Sequence, residues 1–217
     1  MELTGLRKNG EQFPLEMTIS TWKTDGKRLF SAIIRDITDI KKTRNEIHQR
    51  TYFDLLTGLA NRDLFRDRLQ QSVHQAIRSR KKVGIVLFDL DRFKDINDNL
   101  GQTIGDLLLQ EVAKRVKNSL RDGDSICRIG GDEFAIIVRE IASIDAIVQV
   151  VQKLFDLVSE PILIQGHEIN ITTSSGITMF PDDSGQADSL IRNAEMALMR
   201  AKNEGRNNFQ FFTEGNY

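Results

Sequence analysis

Apolar and polar positions along the chain change rhythm twice. Over residues 11–22 they alternate in part, with Phe13, Leu15, Met17 and Ile19 on one face. Lys23-Thr24-Asp25-Gly26-Lys27 supplies a turn, and Leu29 to Ile37 reads as a second strand with β-branched Ile33, Ile34 and Ile37. The pair predicts an antiparallel hairpin. Two strands alone are marginal in water, so residues 1–38 read as the tail of a domain. Asp39 to Phe53 is charged and helix-compatible. Ile40 and Ile47 stand seven apart with Thr43 and Arg50 at the intervening positions, which fits a weak coiled-coil seam or a solvated linker helix.

From Asp54 the rhythm becomes alternating helix and strand. Asn61 to Arg80 carries Leu64, Phe65, Leu69, Val73, Ala76 and Ile77 at helical spacing. Val83 to Phe88 is short and apolar, as in a buried strand. Gly105 to Leu120 is helical, through Leu108, Leu109, Val112 and Val116. Ser125 to Ile129 and Phe134 to Val138 are short strands around Gly130-Gly131. Ile144 to Val158 is helical. Ile162 to Ile164 and Ile169 to Phe180 are strand-like about a turn at Gln165-Gly166. A helix over Ala187 to Asn203 and a strand over Phe209 to Phe212 close the chain. This order predicts an α/β (α+β) sheet covered by helices.

Composition narrows the function classes. The 217 residues carry Lys+Arg 30 against Asp+Glu 31, a formal charge of −1, which argues against a broadly basic nucleic-acid surface. One cysteine, Cys127, excludes an internal disulfide. The apolar run from Val83 is far too short to cross a bilayer, and Met1 to Gly10 lacks the apolar stretch of a signal peptide. The expectation is a cytoplasmic protein, or the cytoplasmic piece of a longer one, with no direct membrane insertion.

Three segments concentrate chemistry. Asp89 to Asp98 is dense in aspartate directly after a buried strand, where open α/β sheets bind ligands. Gly130-Gly131 fits a tight hairpin turn and is followed at once by Asp132 and Glu133. If that hairpin lies beside the Val83 strand, Asp132 can face Asp89, and two convergent carboxylates make a hard-cation site suited to Mg²⁺. Lys202 and Arg206, four apart at a helix end with Gly205 as cap, read either as dipole-favoured cations or as a phosphate clamp.

Gly130-Gly131-Asp132-Glu133-Phe134 spells the motif of the GGDEF family of diguanylate cyclases. Further runs resemble the same family: Asp54-Leu55-Leu56-Thr57-Gly58-Leu59-Ala60-Asn61-Arg62, the Asp89 to Asp98 loop, Gly105-Asp106, and Ala201-Lys202 with Gly205-Arg206-Asn207. The resemblance covers roughly residues 50–212. It implies a fold akin to class III nucleotide cyclases and polymerase palm domains, with a mostly antiparallel central sheet. It implies condensation of two GTP into cyclic di-GMP with release of two pyrophosphates, by a homodimer holding one GTP per subunit.

Carried over by residue, the resemblance assigns Asp89, Asp132 and the Leu90 carbonyl to two Mg²⁺ (or Mn²⁺) per half-site. Glu133 would assist there. Asn97 and Asp106 would read the guanine edge, and Lys94, Lys202 and Arg206 would hold the phosphates. Asp132, Glu133 and Lys94 form the catalytic set. Arg121-Asp122-Gly123-Asp124 fits the family's RxxD motif, in which Arg121 and Asp124 bind cyclic di-GMP as product and inhibitor; Lys153 is the nearest cation to the family's second inhibitory arginine. Gln102, Glu195 and Met199 depart from the family's usual His, Asp and Tyr. They motivate an alternative, a catalytically weak GTP-binding module that controls an adjacent EAL phosphodiesterase domain. A third reading is a product sensor acting through Arg121 and Asp124.

Arg7-Lys8-Asn9-Gly10-Glu11 and Ile34-Arg35-Asp36-Ile37-Thr38 resemble the last strands of a PAS sensor domain, and Phe211-Phe212-Thr213 resembles the point where such proteins continue into an EAL domain. The expected organisation is therefore a partial PAS hairpin over 1–38, a linker helix over 39–53 and a GGDEF domain over 54–213, within a longer signalling protein. His48, His74 and His167 form no ligand-spaced set, and Trp22 is expected to pack the hairpin.

Overall fold

A computed structural model describes residues 1–24 and 27–214, with side chains placed for all of these except Thr24 and residues 44–48. The turn expected at Asp25-Gly26 and the seam side chain of Ile47 lie outside the described residues. The chain forms two compact units, Met1–Thr51 and Tyr52–Tyr217.

The first unit holds β1 (Glu2–Leu6), β2 (Gln12–Thr24) and β3 (Lys27–Asp36), antiparallel in the order β1-β2-β3, and most of α1 (Thr38–Tyr52). A third strand thus joins the expected hairpin. Its sequence gives no alternating signal because Gly5 stands where an apolar residue would; Gly5 pairs with Phe13, and Leu3 with Leu15. Met17 pairs with Ile34 and Trp22 with Leu29. Trp22 does not act as a core residue, since about half of it stays exposed.

The second unit is built on a five-stranded sheet in the order β10-β9-β4-β6-β5. Its strands are β4 (Lys82–Leu90), β5 (Ser125–Gly130), β6 (Glu133–Ile141), β9 (Thr173–Phe180) and β10 (Phe209–Phe211). Every pairing is antiparallel except β9 with β10. Strand β4 is central and apolar on both faces, because helices cover both. Val83, Ile85 and Leu87, with Ala135 and Ile137 of β6, pack with α2 (Arg62–Ser79) and α6 (Ala187–Asn203). Val86, Phe88 and Leu90 face the other way, with α4 (Gln102–Ser119) and α5 (Ile144–Ser159). There Phe88 stacks on Phe134 at 5.2 Å, worth about 1 kcal/mol beyond the area buried. Gly176 of β9 lets α6 sit directly on the sheet: a Cβ there would lie 2.1 Å from the Ala194 carbonyl oxygen.

Two segments differ from the sequence expectation. The acidic run after β4, read as a loop, winds into α3 (Phe93–Leu100). The run 169–180 is not one strand. It splits into β8 (His167–Ile169), which pairs with β7 (Ile162–Ile164), and β9. The break at 170–172 has a cause: the Thr172 carbonyl accepts from the Asp91 amide at 2.9 Å and its hydroxyl donates to the Asp91 carboxylate at 2.7 Å.

Candidate functional site

The period-two alternation of β4 turns Asp89 to the same face as Leu87, toward α6. The register sets Glu133 directly across from Asp89. It is Glu133, not Asp132, that holds this place, because the tight turn falls on Gly131-Asp132, one residue later than the expected Gly130-Gly131. Gly131, at φ 54°, takes the left-handed conformation that the turn requires. Asp132 is nonetheless close: its carbonyl lies 3.4 Å from the Leu90 amide, and its charge acts on both Asp89 and Glu133.

These carboxylates are crowded and under-compensated. Burial pushes the Asp89 carboxyl above the usual range, and Asp132 and Asp91 add to the shift; the Lys202 ammonium, 2.7 Å from Oδ2 of Asp89, opposes it. Burial also raises Glu133, with Asp89, Glu195 and Asp132 adding and Lys202 again opposing. Lys202 therefore sits on the acidic cluster itself, the one cation contacting Asp89 among the described residues.

Two residues on, Asp91 is buried and fully served. It accepts from the Thr172 hydroxyl at 2.7 Å, the Ser174 hydroxyl at 2.7 Å and the Asn207 amide at 3.0 Å. The next residue, Arg92, takes a left-handed backbone (φ 57°) to start α3. Lys94 is exposed in the first turn. Asn97 packs on α4 so closely that a Cβ at Gly105 would come within 1.8 Å of its Oδ1. That Oδ1 is buried without a hydrogen-bond partner, and Asp106 stands beside Gly105. Asn97 thus packs against Gly105, the residue that precedes Asp106 on α4. Arg206 lies in the turn after α6, exposed, at φ 64°.

The hairpin is braced from behind. Arg128 donates to both Asp54 carboxylate oxygens at 3.0 and 3.1 Å and to the Gly131 carbonyl at 2.9 and 2.7 Å. Burial would raise Asp54, but hydrogen bonds from Thr57 and Arg128 outweigh it and hold the carboxyl below the usual range. Sequence reasoning missed this brace, and with it the role of Asp91. The two partners of the brace are 74 residues apart, a pairing that no local pattern announces.

Arg121 and Asp124 lie elsewhere, at the opposite end of β5 from the Gly131 turn. They pair at 3.0 Å, and Arg121 also donates to the Arg139 carbonyl. With Lys153, whose ammonium donates to the Ser119 carbonyl at 2.7 Å, they line a cleft of about 350 Å³. Cys127 is buried, its thiol pushed up to about 12, and is inert.

Among the described residues no three acidic, His or Cys side chains close into a ready-made metal cage, and no helix is long and apolar enough to cross a membrane. Comparison with known proteins places the rest. A family model for "Diguanylate cyclase, GGDEF domain" matches residues 51–208, and a PAS domain model matches residues 1–39. The chain is 40% identical over 175 residues to the bifunctional diguanylate cyclase/cyclic di-GMP phosphodiesterase MucR of Pseudomonas aeruginosa, covering 81% of this chain and 25% of MucR. It is 34% identical to the diguanylate cyclase TpbB of the same organism, covering 73% of this chain and 37% of TpbB. The solved GGDEF domain of TpbB superposes with a TM-score of 0.73 at 31% identity, over 75% of this chain and 95% of that one. The coiled coil and GGDEF domain of DgcB from Caulobacter crescentus, solved with c-di-GMP, gives 0.72 at 26% identity, over 81% and 93%. The chain spans about a quarter of the length of the first curated relatives it matches.

Proposed function

This chain belongs to the GGDEF family of diguanylate cyclases, and from that premise we propose that it condenses two GTP into cyclic di-GMP. The 3′-oxygen of each nucleotide attacks the α-phosphorus of the other, two phosphodiester bonds form, and two pyrophosphates leave. The observation that carries the reading is the under-compensated cluster of Asp89, Asp132 and Glu133 at the end of β4.

The donor set fits a divalent cation. Mg²⁺ takes one or two carboxylates and completes its shell with water and substrate phosphates, so an open pair serves where a closed cage is not needed. Asp89, Asp132 and the Leu90 carbonyl would hold Mg²⁺ or Mn²⁺, with Glu133 assisting; bound there, the metal lowers the charge barrier to phosphoryl transfer. Phosphoryl transfer depends chiefly on positioning and electrostatics, and this chain's own residues divide that work. Asn97, through its side-chain amide, and Asp106 would read the guanine edge. Lys94 and Arg206 would meet phosphate oxygens, and Lys202 would exchange Asp89 for a phosphate as cations enter. The Arg128 brace to Asp54 and Gly131 keeps Asp132 in place.

Each half-site would hold one nucleotide, so the active form would be a homodimer acting on GTP, in the cytoplasm or as the cytoplasmic portion of a longer protein, without nucleic acid. Arg121 and Asp124 would bind the product as inhibitor once Arg121 leaves the Arg139 carbonyl. Incubation with GTP and Mg²⁺ over a range of protein concentrations tests the reading. Cyclic di-GMP should rise faster than linearly with protein and vanish in Asp132→Asn. Product linear in protein would remove the dimer requirement, and no product at any concentration would remove the activity.

A further inference from the structure

We propose that Arg92 is a positioning residue for the far end of the triphosphate, paired with Arg206 across a cleft that the buried Asp91 holds open; this rests on the GTP reading above. Arg92 and Arg206 are non-glycine residues at φ 57° and 64°. Strained backbone of this kind persists only where the surroundings over-determine it, and it concentrates at ligand sites.

Here the over-determining group is Asp91. It fixes the turn before α3 through its own position in the chain, and it fixes the turn after α6 through the Asn207 amide at 3.0 Å. Thr172 and Ser174 anchor it from β9 and the segment before it. One buried carboxylate thereby ties together two turns 116 residues apart in sequence, each carrying an exposed arginine. Both arginines line one cleft of about 550 Å³. The Arg92 guanidinium makes no hydrogen bond or ion pair among the described residues. Asp91 and Asp95 line the cleft too, but Asp91 is engaged by its three donors, which leaves two guanidinium groups against Asp95.

The cleft is placed for a chain of phosphates. Asp95, Ile96 and Asn99 line it from one face of α3, whereas Asn97 turns to the opposite face against α4. The N-terminal turn of α3 lies between, and its free amides favour anions. A nucleotide with its base at Asn97 and its first phosphates over that turn points its last phosphates at Arg92 and Arg206, whose planar forks suit bidentate phosphate contacts.

The test is equilibrium binding of 3′-deoxy-GTP and 3′-deoxy-GMP to the full chain with Mg²⁺. Neither nucleotide has the attacking hydroxyl, so binding is read without turnover. Arg92→Ala should weaken the triphosphate about tenfold and leave the monophosphate within about twofold, and Arg92→Lys should recover part of the loss. Arg92→Gly, which relieves the left-handed strain, should melt higher than the parent yet bind the triphosphate as weakly as Arg92→Ala. Equal triphosphate affinity in parent and Arg92→Ala would overturn the inference while leaving the GTP reading intact. Equal losses for both nucleotides would overturn it in favour of a structural role. A parent chain that binds neither nucleotide would overturn the GTP reading and this inference with it.

Discussion

Asp89 and Asp91 leave the same strand end two residues apart, on the same side of the sheet, into opposite surroundings. Asp91 has three donors and is tied to β9 and to the turn after α6. Asp89 meets one ammonium and at least two other carboxylates that raise it. A buried charge served by good hydrogen bonds is architecture, while a crowd of buried charges left short of partners costs stability unless a ligand supplies the missing charge. The contrast separates two kinds of acid within a single Asp-Leu-Asp run.

The comparison can be broken most forcefully by Asp89→Asn. Turnover at saturating GTP should fall about 10²–10³-fold, read as cyclic di-GMP formed. Next comes Asp91→Ala, which strands two hydroxyls and an amide. It should cost about 3 kcal/mol of stability, read by denaturant unfolding. Glu133→Gln should do the reverse and stabilise the metal-free protein by about 1 kcal/mol, because it removes one of the crowded charges; cyclase activity should fall with it.

The pH dependence sharpens that third contrast. Asp89 and Glu133 hold their protons more tightly folded than unfolded. The folded state thus binds more protons between the unfolded and folded pKa values, and stability falls as pH rises through that window. The gain from Glu133→Gln should accordingly be larger at pH 7 than at pH 4, and added Mg²⁺ should stabilise the parent more than the variant at pH 7. The smallest effect belongs to the exposed pair Arg66–Asp188, 2.7 Å apart on the surface. Arg66→Ala should change stability by no more than about 0.5 kcal/mol.

Much of this contrast was legible in the chain and part was not. Val83 to Phe88 reads as a central strand because it is apolar on both faces, and α2 and α6 read as helices from their spacing. Local chemistry marked Asp89, Asp132 and Glu133, since acids after a buried strand and after a glycine turn are out of place unless used. The register was not legible. A one-residue shift of the turn onto Gly131-Asp132 decides whether Asp132 or Glu133 faces Asp89, and two adjacent glycines allow either. Helix α3 was hidden because Arg92 opens it in a left-handed conformation without a side-chain cap. The roles of Asp91 and Arg128 were hidden because their partners lie 116 and 74 residues away, joined only once the sheet has formed.

The most direct test is cyclic di-GMP formation at saturating GTP and Mg²⁺ by the parent, Asp89→Asn and Asp91→Asn, each at a temperature where its folding is verified. The account predicts product from the parent, turnover lower by about 10²–10³-fold from Asp89→Asn, and turnover within about tenfold of the parent from Asp91→Asn. Equal loss in the two variants, or full activity in Asp89→Asn, would contradict the division between a reactive and a structural aspartate.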